Sequence, residues 1–465
     1  MTTSPLVRPL VAAAVLFTLA GCAAGPRPAV PAPPNPLAGP SAPVLARMWD
    51  AEHVSSPVSP LVDHAEVKAR VARIAGDAAS LFTVREEGRS VEGREIWSVS
   101  FGRGPFVVMM WSQMHGDEPT ATSALFDLYE YIRLHRDTPA VAGLLERLTV
   151  HTVPMLNPDG AELYQRRNAQ NLDVNRDALE LASPEARLLK SLRDRWQARV
   201  GYNLHNQNWR TQVGSPGKGA AISLLSVAYD EARSMNEGRV LTKKLGAVVR
   251  DALEPYALGR IGRYDDTFEP RAFGDQLTLA GTPVLLIETG PWPDPNPDPM
   301  LIRLNYIALI RSLHALASGT VHDADPGRYD SLPENRGGGF HTRFIDVSVV
   351  RAPDRPLEKA DVGLVGVRRV RLDDGKRTAV LQLTVGGIGD LTMEAALFAV
   401  NAHGRVLAPL RDGVREGDTI EATLQQLVLT AGPNVPADLM LLVPMGQLAY
   451  RVERVIRSEV VLGVK

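Results

Sequence analysis

Apolar and polar positions alternate between two periods along the middle of this chain. Runs with the length and bulk of buried strands occur at Phe106 to Trp111, Leu148 to Leu156, Gly201 to Leu204 and Pro283 to Ile287. Between them, Thr120 to Arg136, Pro184 to Arg199, Val240 to Ala252 and Met300 to Ala317 carry the i, i+3, i+4 spacing of helices. Strands alternating with helices predict an α/β domain with a parallel or mixed sheet, from about Asp63 to Ala317. In such sheets ligand chemistry gathers in the loops at the strand ends.

The pattern changes near Asn335-Arg336-Gly337-Gly338-Gly339. Beyond it, short β-rich runs at Arg343 to Arg351, Thr378 to Val385, Ala395 to Val400 and Val455 to Leu462 are separated by turn signals at Asp373-Asp374-Gly375 and His403-Gly404. Residues 341–465 are therefore expected to form a small β-sandwich-like domain, joined to an α/β domain over 46–320 by a linker at 321–340. Nothing in the β-rich part looks catalytic.

The N-terminus is of another kind. Arg8 precedes an apolar run, Leu10 to Ala20, that is too short to cross a bilayer, and Leu19-Ala20-Gly21-Cys22 completes the segment. This resembles a bacterial lipoprotein signal with its lipobox, which implies cleavage before Cys22, acylation of that cysteine and a membrane anchor. Cys22 is the chain's single cysteine, so internal disulfides contribute nothing to stability. Ala23 after it favours the outer membrane. Residues 23–45 are proline-rich and read as an extended tether outside the fold. The formal charge of −2 over 465 residues shows no basic surplus of the kind that draws a protein onto nucleic acid.

Candidate chemistry sits where strand runs end. His115 and Glu118, spaced H-x-x-E, place an imidazole and a carboxylate about one helical turn apart, close enough to hold one face of a divalent cation. Such a pair also recurs at ordinary solvated helix starts, so its meaning depends on the residues downstream. Asn157-Pro158-Asp159-Gly160 closes the next strand. Arg166-Arg167-Asn168 and Asp173-Val174-Asn175-Arg176-Asp177 come soon after, His205 ends a third strand and Glu288 a fourth.

In that order, over about residues 60 to 318, these features resemble the zinc metallocarboxypeptidases. The resemblance implies a mixed-sheet α/β/α domain with one zinc ion per chain held by His115, Glu118 and His205. It makes Asp173 the partner that orients the first histidine, Glu288 the general base and acid, and Arg166 the guanidinium for the oxyanion, with Arg167 one residue away from the same register. Asn175 and Arg176 match the pair that binds the substrate's terminal carboxylate, and Tyr264 is the candidate for a substrate-capping tyrosine.

Some positions depart from the pattern. Asp117 stands where pancreatic-type members carry arginine, Asn175-Arg176-Asp177 replaces the commoner NRN, and His-Gly-Asp-Glu-Pro looks more like murein-peptide amidases of the same superfamily. Asp265, Asp266 and Asp275 lend acidity to the interval before Glu288 without a spacing that places them in a pocket. The expectation is an extracytoplasmic, lipid-anchored zinc carboxypeptidase acting on peptides. Its rivals are a peptidoglycan-peptide amidase or N-acyl amino acid deacylase on the same fold, and a binding lipoprotein without catalysis.

Overall fold

The structure is a computed structural model that describes residues 1–2, 35–56, 61–77, 81–373 and 376–462. Cys22, its apolar run and most of the proline-rich stretch lie outside the described residues, as does the end of the turn signal at Asp374-Gly375. The described helices and strands all belong to the unit Pro36–Lys465.

Two helices, α1 (Ala42–Glu52) and α2 (His64–Asp77), precede an eight-stranded sheet. Its first strands are β1 (Phe82–Arg89), β2 (Glu95–Gly102) and β3 (Phe106–Ser112). Then come α3 (Thr120–His135), α4 (Pro139–Arg147), β4 (Leu148–Val153), α5 (Pro158–Leu163), α6 (Pro184–Trp196) and β5 (Val200–Asn206). A two-stranded ribbon, β6 (Gln212–Val213) and β7 (Lys218–Gly219), leads to β8 (Ile222–Ser226). The domain closes through α7 (Glu237–Leu253), β9 (Ile261–Arg263), α8 (Phe273–Leu279), β10 (Val284–Thr289) and α9 (Asp298–Ser318).

The sheet order is β1-β2-β4-β3-β5-β10-β8-β9. Its centre, β4-β3-β5-β10, is parallel, and antiparallel pairs flank it, so the sheet is mixed as expected. Along β3, Val108 and Met110 enter one core while Met109 and Trp111 enter the other. A strand buried on both faces reads as a continuous apolar run, which is why period-2 alternation is absent there. Helix α9 is apolar on every side because it is packed within the larger core, with α1, α3 and α7 against it.

Two expected boundaries are corrected. Residues 36–45, assigned to the tether, pack on the domain: Arg311 donates to the Ala38 and Pro40 carbonyls at 2.8 and 2.9 Å, and Leu45, Ala46 and Trp49 are buried. Pro43 belongs by composition to the proline-rich stretch, yet it lies in the first turn of α1, where its missing N–H is not needed. The linker at 321–340 is also built in. It forms the helix α10 (Pro326–Asp330), whose buried Tyr329 accepts from the Ser226 amide at 2.9 Å.

From Phe340 onward the chain is β-rich: β11 (Phe340–Val349), β12 (Glu358–Asp373), β13 (Lys376–Gly389), β14 (Ala396–Asn401), β15 (Val406–Pro409), β16 (Thr419–Glu421), β17 (Leu439–Pro444), β18 (Ala449–Ile456) and β19 (Glu459–Val461). Eight of these strands lie on one hydrogen-bonded path, β14 joins it from the side by pairing with β11, and all nine form one sheet and not two. Both faces are buried in places, as Leu439 and Leu441 enter one cluster and Met440 and Leu442 the other. Strands β12 and β13 extend as a long hairpin that reaches back to the α/β domain. Arg368 of β12 makes a two-pronged ion pair with Asp298 at 2.8 and 2.9 Å and lies over the Trp209 ring at 4.2 Å.

That pair is largely out of water, with side-chain exposures of 8% and 11%. Asp298→Ala is therefore expected to lower the unfolding free energy by about 3–5 kcal/mol, because it strands the Arg368 charge. Pairing it with Arg368→Met should recover much of the loss. Urea unfolding of the three proteins checks both outcomes.

Candidate metal centre and substrate cleft

The chain leaves β3 for α3 and β4 on one side of the sheet, then returns to β5 on the other side of β3. Such a switch point opens a crevice beyond the carboxyl ends of the strands. His115 and Glu118 come just after β3, and His205 lies at the end of β5. The turn carrying the first two is held by backbone packing. A Cβ on Gly116 would stand 1.9 Å from the Gly160 carbonyl carbon, so the HGDE and NPDG segments meet where only glycine leaves room. Asn157 fastens that contact: its side chain caps the Gly160 amide at 2.9 Å and donates to the Met114 carbonyl at 3.3 Å. Gln113 donates to the Gly116 carbonyl from within the same turn, at 3.1 Å.

His115, Glu118 and His205 come together, buried, with one donor atom from each lying within 4.8 Å of the others. The Glu118 carboxylate reaches both rings, at 2.7 Å from Nδ1 of His115 and 2.7 Å from Nδ1 of His205. It also accepts from the Asn206 amide at 3.1 Å. On the far side of the His115 ring, Nε2 is 3.2 Å from Asp173, whose other oxygen accepts from Arg166 at 2.9 Å. Two imidazoles and one carboxylate, converging by the nitrogens that do not face their supports, are the donor set of a catalytic zinc site. These residues fit that ion.

The local electrostatics reflect who touches whom. Burial opposes charge on Glu118, but the two histidines outweigh it and hold the carboxyl well below the usual range. Burial also works against the His115 cation, yet Glu118 and Asp173 together raise this imidazole to about 9. His205 moves the other way: burial lowers it, and the charges of His115 and Arg166 add to that against the support of Glu118. The asymmetry between the two rings thus reflects the second carboxylate on His115.

Glu288 is paired in register with His205 across the parallel strands β10 and β5, which puts it beside the triad. Its Oε2 is shut off from solvent and has no hydrogen-bond partner among the described residues. Burial, and after it the charge of Glu118, pushes its pKa up. The structure also separates the two adjacent arginines. Arg166 brings its guanidinium to 3.0 Å from His115 Nδ1, whereas Arg167 folds back onto the Asn171 carbonyl at 2.9 Å.

Asn175 lies against His205, with 3.4 Å between Nδ2 and Nε2, and accepts from the Phe273 amide at 3.0 Å. Arg176 comes next, about two-fifths exposed, with Glu269 at 3.6 Å. Tyr264 is an exposed ring whose hydroxyl is raised by burial, with the Glu288 charge adding to the effect. Asp177 is elsewhere: it accepts from the Ala182 and Ser183 amides before α6 and is a structural brace. Asp266 is tied to Arg239 at 2.7 Å, and Asp275 accepts from the Glu269 amide at 2.9 Å. Asp117 lines a cleft beside Glu118 and keeps a buried oxygen without a partner.

That cleft contains what sequence reasoning missed. Its lining includes Tyr164, Asn206 and Trp209 and, from β12, Gly366 to Arg369. No local signal marks a β-hairpin more than two hundred residues from the first histidine as a neighbour of the site.

Comparison with known proteins agrees with the metal geometry. Residues 67–249 match the model of the zinc carboxypeptidase family, Peptidase_M14. Mouse carboxypeptidase M is 29% identical over 128 residues, 24% of this chain and 29% of that protein. Carboxypeptidase 2 of Trichophyton tonsurans is 30% identical over 143 residues, 30% of this chain and 26% of that protein. Human carboxypeptidase D is 32% identical over 120 residues, 22% and 9%. The chain thus spans 29% or less of the length of these relatives. Among solved structures, a putative carboxypeptidase A from Shewanella denitrificans is similar with a TM-score of 0.45 and 15% identity, covering 55% of this chain and 70% of that one. The Helicoverpa armigera carboxypeptidase A gives 0.44 and 17%, covering 60% and 80%.

Asp173→Asn is expected to weaken zinc binding about 10–100-fold without unfolding the protein, because it removes the anion that orients the His115 ring. His205→Ala should weaken it further. Competition against a chromophoric chelator measures both.

Proposed function

We propose that this protein is a zinc carboxypeptidase that hydrolyses the amide bond next to the free C-terminal carboxylate of peptides. The observation that carries the reading is the meeting of His115, Glu118 and His205 with Glu288 in register beside them. The family match over residues 67–249 supports the same class.

In this reading Asn175 and Arg176 receive the substrate's terminal carboxylate, the guanidinium matching a planar anion in two-pronged fashion. Tyr264 closes over the bound terminal residue. When bound, zinc supplies Lewis-acid polarisation and makes water a nucleophile near neutral pH. Arg166, held by Asp173, points its charge to where the carbonyl oxygen becomes negative. Glu288 takes one proton from the attacking water and returns it to the nitrogen as the C–N bond breaks, leaving a new carboxylate and a free amino acid. Its buried, partnerless oxygen is suited to that exchange, since no other group competes for the proton.

The localisation rests on residues 8–22 alone, whose charge, apolar run and Cys22 support export and lipid anchoring. In a two-membrane bacterial host, Cys22→Ser is expected to move the protein from the membrane fraction to the soluble one, as read by fractionation and blotting.

The zinc-loaded protein is expected to release single C-terminal residues from peptides, to spare their C-terminally amidated counterparts, and to stop on chelation until zinc is restored. Glu288→Gln should lower kcat about 10²–10⁴-fold with zinc content unchanged, and Arg166→Ala about 10²–10³-fold. Mass spectrometry of the products and metal analysis check these outcomes. Equal cleavage of amidated peptides, or full activity in Glu288→Gln, would overturn the reading.

A further inference from the structure

The cleft beside the triad is not built by the α/β domain alone. It encloses ≈ 260 Å³, with Asp117, Glu118 and Arg166 on one side and Gly366 to Arg369 of β12 on the other. Asn175, Arg176 and Tyr264, which receive the terminal residue in the carboxypeptidase reading, are not among its lining. The cleft therefore meets the metal site through Glu118 and Arg166 and not through the residues assigned to the terminal carboxylate, and in the carboxypeptidase reading it is the space left for the acyl side of a bound peptide.

The hairpin is pinned at this place from two positions. Arg368 pairs with Asp298 and stacks on Trp209, and it lines the cleft together with Tyr164, two residues before Arg166. From β13, Arg377 donates to the Ala161 carbonyl at 2.7 Å and approaches Asp63 at 3.3 Å. Ala161 adjoins Gly160, the residue that supports the turn carrying His115. The β-rich unit thus grips the α5 segment that bears on the metal site. Buried ion pairing of this kind is a fixed contact, not a passing one.

We propose that the β12–β13 hairpin is the end wall of the acyl-side subsite and confines the enzyme to short peptides. The inference rests on the carboxypeptidase reading and deepens it by naming the substrate class. The enclosed space falls just below the roughly 300–1,000 Å³ of sites that hold whole small molecules. An extended chain advances ~3.3–3.6 Å per residue, so the space holds about one or two residues upstream of the scissile bond. Longer peptides meet Gly366 to Arg369. Asp117 and Asn206, which border the space, each keep a buried side-chain oxygen without a donor among the described residues, and main-chain N–H groups of a short acyl segment supply such donors. Arg369, an exposed side chain of the wall, donates to the Arg368 carbonyl at 3.3 Å.

The test is a series of N-acetylated peptides that share one C-terminal pair and carry one, two, four or eight residues upstream of the scissile bond. With zinc-loaded, full-length protein, kcat/KM is expected to fall at least about tenfold between two and four residues, mainly through KM. Arg369→Ala, a trim at the rim of the wall, should shrink that penalty several-fold. The double variant Arg368→Ala/Asp298→Ala, which leaves neither charge of the pair behind, should largely abolish it while zinc content stays the same. Calorimetric binding of the same peptides to Glu288→Gln should show the break at the same length, without turnover. Rates and affinities that are flat or rising with length would overturn this inference and leave the carboxypeptidase reading standing. If no peptide of the series were hydrolysed or bound, both would fall.

Discussion

One carboxylate holds the centre together. Glu118 reaches the imidazoles of His115 and His205 at once, and these arrive from the ends of two different strands. A buried anion between two rings is stable only if both stay in place, so the crevice between β3 and β5 is fixed by the requirement that this charge be satisfied. Asp173 extends the arrangement outward by gripping the rear of the first ring and steering Arg166. The chemistry proposed for the site is an outgrowth of that network: a cation replaces the shared protons, and Glu288 supplies the base beside it.

The network depends in turn on backbone fit. Gly116 and Gly160 press together so closely that neither tolerates a side chain without displacing the turn. Asn157 and Gln113 tie the loose ends of that contact to neighbouring carbonyls and amides. The histidine and glutamate are thus aimed by parts of the chain that carry no charge.

The β-rich unit is more than an appendage. Through Arg368 and Arg377 it fastens α5, the start of α9 and the Trp209 loop. The same strand that carries the Arg368 contact also lines the cleft beside Glu118, through Gly366 to Arg369.

Much of this was legible in the sequence. The apolar runs located β3, β5 and β10 to within a residue or two, because strands buried on both faces must be apolar throughout. His115, Glu118, His205 and Glu288 are each ordinary at the ends of such runs taken singly, and stood out because they occur together in one order with the motifs between them. Fold class came from local pattern, while zinc as the metal and the roles of the site residues came from the resemblance that the ordered motifs carry. Other features were decided only in three dimensions: Arg166 and not Arg167 facing the ring, Asp177 serving α6, residues 36–45 and 321–340 packing on the domain, and β12 walling the cleft. Most of these depend on a partner far away in the chain, such as Arg311, Ser226 or Asp298, and a periodicity read along one strand or helix carries no information about which distant surface it will meet.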